Sequence, residues 1–179
     1  SNYKYAAMVR SMDENVGRLL KKLEAMGVSE NTIIVFTSDN GGLTTRKSPG
    51  PTSVTPLRAG KGWAYEGGIR VPLIIRAPGM PQGKVSHQTV TSMDYYPTLL
   101  ELAGLKARKG QHVDGKSIVP NLKHPADVSS RTLVWHYPHY HGSTWRPGSA
   151  IRQGDWKLVE FYESETVELY HLDRDLEEM

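Results

Sequence analysis

The residues best suited to chemistry lie at 38–42, where the run SDNGG follows the β-prone segment 32–36. Asp39 offers a carboxylate and Asn40 an amide oxygen, which are hard ligands of the kind that calcium and magnesium prefer. Neighbouring side chains on a regular strand point to opposite faces, so both reach one ion only where the strand has ended. The two glycines that follow permit such a break. The pattern predicts a buried strand that ends at a polar site, at the sheet edge where α/β proteins bind ligands.

The same run has an ordinary alternative. Taken alone, Ser-Asp-Asn-Gly-Gly is more often an Asx turn than a metal site. Two oxygen ligands also leave most of the roughly six to eight positions around a calcium ion unfilled. The interpretation as a metal site therefore depends on other motifs in the chain.

Lys61 stands between two glycines, where backbone can approach a ligand closely and an ammonium can meet an anion. A P-loop would need Ser or Thr where Gly62 stands and Gly where Thr55 stands. A dinucleotide fingerprint fails because Tyr65 occupies the place of its last glycine. The run 54–58, VTPLR, has the outline of a nucleophile followed by Pro and Arg, but its first residue, a valine, has no nucleophilic atom. Lys61 is thus a candidate contact for an anionic group, with a solvated loop lysine as the alternative.

Three histidines and three aromatic residues fall within residues 135–141, WHYPHYH. Imidazoles among aromatic rings can line the pocket of a sugar or aryl substrate, or transfer protons. The alternative is a strand end with packed aromatic side chains. A histidine-only zinc site is not indicated, since no acidic partner lies within the run. The other histidines stand alone and are expected to be surface or structural residues: His87, His112, His124 and His171.

Composition limits the possible classes of protein. The net charge of +3 comes from 22 Lys and Arg against 19 Asp and Glu, and without a basic run it does not indicate nucleic-acid binding. The absence of cysteine excludes disulfides, thiolate metal sites and a cysteine nucleophile within these residues. No apolar run approaches the roughly 18 residues of a membrane span.

Periodicity predicts the elements that position these residues. Apolar residues recur every three or four places from 5 to 26, which predicts a long amphipathic helix that ends at Gly27. That helix, a turn at 29–31 and the strand at 32–36 form an αβ step, which favours a mainly parallel sheet covered by helices. We also predict a loop at 41–63, strands at 71–76 and 85–91, a helix from 92 or 94 to 103 with Leu99, Leu100 and Leu102 facing the core, and a helical turn at 117–122.

From residue 132 the pattern changes to short strands separated by brief turns, which predicts antiparallel hairpins. These strands are expected at 132–137, 150–152, 156–162 and 167–172. The predicted fold class is α/β: part of a mixed, mainly parallel sheet with flanking helices, followed by a small antiparallel carboxyl-terminal sheet. The predicted domains are an α/β part at 1–105, a connecting segment at 106–131 and a small antiparallel subdomain at 132–179.

Short motifs follow one another along nearly the whole chain. They are SDNGG at 38–42, PLRAGKG at 56–62, YEGGIRVP at 65–72, DYYPTLL at 94–100, AIRQGDWK at 150–157 and ELYHL at 168–172. The ordered series closely resembles the carboxyl-terminal half of the arylsulfatase-type sulfatases, within the alkaline phosphatase superfamily. By this resemblance, residues 1–105 are the carboxyl-terminal part of the catalytic domain.

The resemblance implies roles for particular residues. Asp39 and Asn40 would be two oxygen ligands of an active-site calcium ion, with magnesium as the alternative, and Lys61 would contact the sulfate of the substrate. A divalent ion and an ammonium beside a sulfate ester would offset the charge that develops on its oxygens. The carboxyl-terminal subdomain of the family helps to shape the pocket, which favours His136 and His139 as substrate-binding residues.

The chain departs from the family in lacking the Cys-x-Pro-x-Arg or Ser-x-Pro-x-Arg signature, whose first residue becomes formylglycine, the covalent catalyst. The paired aspartates and the basic residues around that nucleophile are missing too, and all belong to the family's amino-terminal half. We therefore expect a carboxyl-terminal fragment of a sulfatase, inactive alone. Glu66 and Arg70 also match the family, and we expect them to order the loop.

The expected substrate is an aryl or glycan sulfate ester, and the expected partner is the missing half or a second copy, not nucleic acid. Resemblance implies that the protein is exported to the periplasm or the extracellular space, or is lysosomal. Two other functions stay open at this stage. One is a phosphodiester or phosphonate hydrolase of the same superfamily, and the other is a non-catalytic calcium-binding or glycan-binding module.

Overall fold

The computed structural model describes residues 2–44, 52–108, 110–111 and 114–179. His112 and part of the predicted loop at 41–63 lie outside these described residues. The chain divides into two compact units. One comprises Ser1–Asp13, Thr37–Leu73 and Arg131–Met179, and the other comprises Glu14–Phe36 and Ile74–Ser130.

The amino-terminal helix α1 runs from Tyr3 to Ala25, which confirms the predicted amphipathic helix. Gly27, at φ +69°, ends it, and the amide of Val28 donates to the carbonyl of Leu23 at 3.2 Å. Glycine is favoured at this helix end because the left-handed conformation costs it nothing. Among the described helices, none is long and apolar enough to cross a membrane.

Strands β1, Ile34–Thr37, and β2, Leu73–Arg76, pair as a two-stranded sheet. Both were predicted, with ends that differ by one or two positions. A single 3₁₀ turn at Ser29–Asn31 precedes β1, and Arg76 reaches back to donate to the carbonyl of Ser29 at 2.9 Å. A turn follows β2, where Gly79 has φ +70°.

The strand predicted at 85–91 is wrong, because these residues form no strand in the structure. The side chain of Gln88 fixes this segment, in place of hydrogen bonds to a neighbouring strand. Gln88 Oε1 accepts from the amide of Ser129 at 2.8 Å, and Gln88 Nε2 donates to the carbonyl of Ser129 at 3.2 Å. A β-prone pattern cannot show whether a neighbouring strand is present to pair with it.

A 3₁₀ turn at Ser92–Asp94 leads into α3, Tyr95–Leu102, as predicted. Asp94 fixes this start, since its carboxylate accepts from the amides of Thr91 and Lys116, each at 2.8 Å. The buried residues of α3 are Pro97 and Thr98. The expectation that Leu99 faces the core is wrong, because Leu99 is 39% exposed. The predicted helical turn is α4, Val119–Lys123.

The carboxyl-terminal sheet is a four-stranded antiparallel meander in the order β3-β4-β5-β6, which confirms the predicted small sheet. Its strands are β3, Thr132–Tyr137; β4, Gly148–Gln153; β5, Trp156–Phe161; and β6, Thr166–His171. One face carries the core of its unit. That core contains Ala64, Tyr65, Trp145, Ala150, Val159, Phe161, Tyr170 and Leu172.

Candidate active site

Asp39 and Asn40 follow β1 where the strand has ended, and their side chains meet. Asn40 Nδ2 donates to Asp39 Oδ2, and Ser38 Oγ donates to the carbonyl of Asn40 at 2.8 Å. Asp39 is exposed and Asn40 is half-buried. Two neighbouring side chains therefore reach one point, which a regular pleat would not allow. The same hydrogen bonds also have the form of a local polar turn.

A set of close backbone contacts joins this strand end to the Lys61 loop. The amide of Gly41 donates to the carbonyl of Gly68, and the amide of Lys61 donates to the carbonyl of Gly42, both at 2.9 Å. A Cβ added at Gly41 would lie 1.7 Å from the carbonyl oxygen of Gly67. Only glycine fits at such an approach, so the backbone itself fixes the relation between Asp39 and Lys61. We call Gly41, Gly42, Gly60, Gly67 and Gly68 the glycine platform.

The short helix α2, Glu66–Ile69, supplies one side of the glycine platform and was not predicted. Its four residues include two glycines, which disfavour helix. The helix exists because the side chain of Glu66 is buried and its backbone is tied to distant residues. Arg70 Nη1 lies 3.6 Å from Glu66 Oε2, and the expectation that Glu66 and Arg70 order the loop stays a prediction.

A buried ion cluster, formed by Glu66, Lys157 and Glu178, holds α2 in place. Lys157 Nζ lies 2.9 Å from Glu66 Oε1 and 2.7 Å from Glu178 Oε1. Glu178 Oε2 accepts from the amide of Glu66 at 2.6 Å, which satisfies an otherwise unpaired donor at the start of the helix. Arg152 Nη1, 3.5 Å from Glu66 Oε2, adds a second positive charge. Each cluster residue is at most 1% exposed, so these charges are shielded from bulk solvent.

Sequence reasoning missed the buried ion cluster, although a signal was present. Lys157 alternates with Val159 and Phe161 on β5, and all three point to the buried face. A lysine in phase with core residues needs a charged partner, because an unpaired buried ammonium is very costly. That position therefore predicts a buried carboxylate somewhere else in the chain.

Burial raises the pKa of Glu178 above its ordinary value of 4.5, and Lys157 opposes the rise. The folded state then holds this proton at pH values where the unfolded state has lost it. Glu178 thus adds stability that is fully present below about pH 4.5 and is lost as pH rises through its folded pKa.

We predict that Glu178→Gln flattens the pH dependence of stability in the full-length protein. Urea unfolding between about pH 4 and pH 8 gives the free energy of unfolding of the variant and of the wild type at each pH. The value for the variant minus the value for the wild type should increase as pH rises. Glu101→Gln, at an exposed position, is the matched control. A difference independent of pH would contradict the assignment.

Arg58 links the Lys61 loop to the carboxyl-terminal sheet. Its guanidinium lies 4.0 Å from the Tyr65 ring centroid, and Nη1 donates to Tyr170 Oη at 2.7 Å and to the carbonyl of Glu178 at 2.6 Å. Both tyrosines donate to Glu168, and burial together with this bond raises the pKa of Tyr170 to about 12. Tyr170 therefore remains a hydrogen-bond donor throughout the physiological range.

The histidines of residues 135–141 lie in different surroundings. His136 Nδ1 is 3.1 Å from Ser149 Oγ and 2.9 Å from Tyr162 Oη, and the ring is exposed. His139 packs edge-on against Tyr137, with ring centroids 6.5 Å apart. None of these contacts involves the Lys61 loop. His141 belongs to the same run but was not one of the two histidines assigned to the substrate. It lies against the backbone of Gly62, where an added Cβ would be 2.1 Å from His141 Nδ1.

Asp39 and Asn40 fit part of a shell for a hard divalent ion, since their side chains converge from one strand end. Within the described ranges, no group of three or more His, Asp or Glu residues could hold a metal ion. A complete calcium shell would therefore need oxygen ligands beyond those described here.

This combination of fold and site matches known proteins. The sulfatase family model matches residues 3–105, and the model of the carboxyl-terminal part of N-sulphoglucosamine sulphohydrolase matches residues 59–179. The chain belongs to the sulfatase family.

Individual relatives agree with that assignment. A sulfatase from Formosa agariphila is 44% identical over 97% of this chain, and mouse steryl-sulfatase is 33% identical over 88%. The structure of BT4656 in complex with its substrate D-glucosamine-2-N,6-O-disulfate superimposes with a TM-score of 0.80 at 32% identity, covering 95% of this chain and 33% of that one. The chain spans 34% of the Formosa protein and 26% of the mouse protein.

Proposed function

We propose that the full-length protein is a sulfatase that hydrolyses sulfate esters of sugars, and that this chain supplies the side of the site that faces the metal and the sulfate. The main observation in support of this proposal is the glycine platform, which connects Asp39 and Asn40 to Lys61 through backbone hydrogen bonds of 2.9 Å. The relative that binds a glucosamine disulfate supports a sugar sulfate over an aryl sulfate as the natural substrate.

The residues of this chain would act by binding and electrostatics. The exposed ammonium of Lys61 would hold a sulfate oxygen and offset negative charge that develops during ester cleavage. Asp39 and Asn40 would hold a calcium ion, or magnesium, which when bound would polarise the sulfate, while a formylglycine outside this chain would supply the nucleophile. His136 and His139 would line the sugar side of the pocket, with the ring of His136 oriented by Ser149 and Tyr162.

The remaining part of the protein would complete this site and cover apolar surface that is exposed here. Helix α1 has no buried residue, and Met8 and Leu19 are 69% and 61% exposed. In this proposal the partner is the amino-terminal half, the protein is exported to the periplasm or the extracellular space or is lysosomal, and the isolated chain is inactive.

Substitution of Lys61 and of Asp39 in the full-length protein tests this function. We expect Lys61→Ala and Asp39→Ala each to lower kcat/KM for 4-nitrophenyl sulfate about 100-fold. Asp39→Ala should also lower the bound calcium measured by elemental analysis, whereas Lys61→Ala should not. Lys84→Ala, at an exposed position, is the control.

Two outcomes would contradict the proposal. Unchanged turnover in both variants would remove the site assignment. Faster hydrolysis of 4-nitrophenyl phosphate than of 4-nitrophenyl sulfate by the wild type would replace the sulfatase with a phosphoesterase.

A further inference from the structure

The loop that follows β3 folds back onto the residue next to Lys61. Ser143 Oγ donates to the carbonyl of Gly62 at 2.9 Å, and Trp63 Nε1 donates to the carbonyl of Ser143 at 3.0 Å. Gly62 has φ +88°, and an added Cβ would collide with His141 and Ser143. The loop and Gly62 are therefore in direct contact, with no room for a side chain between them.

The ring of His141 is fixed through one nitrogen only. Nδ1 lies 2.8 Å from Ser143 Oγ and 3.2 Å from the amide of Ser143. The loop is closed beneath it, since the amide of His141 donates to the carbonyl of Trp145 at 3.2 Å and Trp145 is 1% exposed. Within the part of the chain that is described, Nε2 has no hydrogen-bond partner, and the residue is exposed.

Such an arrangement is typical of a histidine that binds a ligand. One ring nitrogen sets the orientation of the imidazole, and the other is left to the ligand. A purely structural histidine in a tight loop would need only its Nδ1 contacts, and its ring would not need to lie against the neighbour of an anion-binding lysine. His141 is thus held against Gly62, the residue that follows Lys61, and the side chains of both Lys61 and His141 are exposed.

We propose that His141 contacts the sulfate group of the substrate through Nε2, beside Lys61, and that Ser143 orients its ring. This inference rests on the proposed function and adds a residue to it. An imidazole N–H at this place would donate to a second sulfate oxygen while Lys61 holds the first. Charge-assisted bonds of this type favour an anion over a neutral group.

A pair of substitutions separates a substrate contact from a structural role. Asparagine at position 141 keeps a polar atom near Nδ1, so it preserves the bond to Ser143, but it lacks the reach of Nε2. Glutamine reaches the place of Nε2.

In the full-length protein we expect His141→Asn to lower kcat/KM about tenfold for both 4-nitrophenyl sulfate and D-glucosamine-2-N,6-O-disulfate. We expect His141→Gln to retain most activity. The melting temperature should stay within about 2 °C for both variants.

His87→Asn, at an exposed position of the other unit, is the matched control and should leave both measurements unchanged. Full activity in His141→Asn would overturn the proposal, as would a loss confined to the sugar substrate or greater loss in the glutamine variant. Should Lys61→Ala abolish turnover while His141→Asn does not, only this inference fails. If Lys61→Ala is also fully active, the proposed site fails with it.

Discussion

Replacement of Gly41 by alanine is expected to destabilise the full-length protein by about 4–5 kcal/mol, or to prevent folding, and to abolish activity. The added Cβ would lie 1.7 Å from the carbonyl oxygen of Gly67 and 3.0 Å from Cα of Gly68. Both neighbours are backbone, so no side chain can rotate away. Relief requires the hydrogen bond between Gly41 and Gly68 to break, and the strand end that carries Asp39 then separates from the Lys61 loop. Urea unfolding and turnover of 4-nitrophenyl sulfate measure the two effects.

Gly17→Ala is the matched control, because Gly17 lies in α1 and nothing in the described part of this chain is within 4 Å of an added Cβ. Alanine is the better helix former, so this variant should be unchanged or more stable by about 1 kcal/mol. Native stability in Gly41→Ala would show that the residues of the glycine platform can move apart with no loss of unfolding free energy. It would contradict the role of the platform in positioning Asp39 and Lys61.

Lys157→Ala is expected to cost about 3–5 kcal/mol of unfolding free energy. The substitution leaves the carboxylates of Glu66 and Glu178 buried together without the ammonium that lies 2.9 and 2.7 Å from them. Removal of one member of a buried ion pair is costly because the remaining charge loses its nearest partner while it stays out of water. Arg152, 3.5 Å from Glu66 Oε2, offsets only part of this cost. Since Glu66 belongs to the helix that supports the glycine platform, catalytic activity should fall as well. Chemical denaturation and a sulfate-ester assay measure both effects.

The energetic coupling between Lys157 and Glu178 can be measured with a double variant. The double variant Lys157→Ala, Glu178→Gln has one buried carboxylate fewer, so it should be more stable than Lys157→Ala alone. Lys84→Ala, at an exposed site, should change stability by no more than about 0.5 kcal/mol. Equal stability of the Lys157 and Lys84 variants would show that the ammonium contributes nothing to the fold.

The elements that were predicted well are those set by local pattern. Helix α1 follows from a period of three to four and a terminal Gly27, and strands β3 to β6 follow from alternation between short turns. Predictions from local pattern failed where the outcome depends on contacts with distant segments of the chain. The segment at 85–91 is β-prone but has no ladder, and Leu99 falls on the outer side of a helix too short for periodicity to orient it.

The site was predicted in part. Asp39, Asn40 and Lys61 could be named from motif and resemblance, and their assignment to metal and sulfate stays a prediction. The buried ion cluster could not be located in the same way, because Glu66 lies 91 positions from Lys157 and 112 from Glu178. His141 was noted within the run 135–141, but its contact with Gly62 could not be predicted, since that contact depends on how a loop folds back after β3. A sequence shows which residue types can bind or react. It does not show which residues far apart in the chain come into contact.

The buried ion cluster also limits how the carboxyl-terminal sheet can be exchanged between related chains. The glycine platform is held by Lys157 on β5 and by Glu178 after β6, so the meander helps to support the Lys61 loop. A chimera that received this sheet from a relative would exchange the support of the Lys61 loop together with the surface that we propose to face the substrate. New substrate preferences should therefore arise more readily by changes in loops such as 138–147 than by exchange of the whole subdomain.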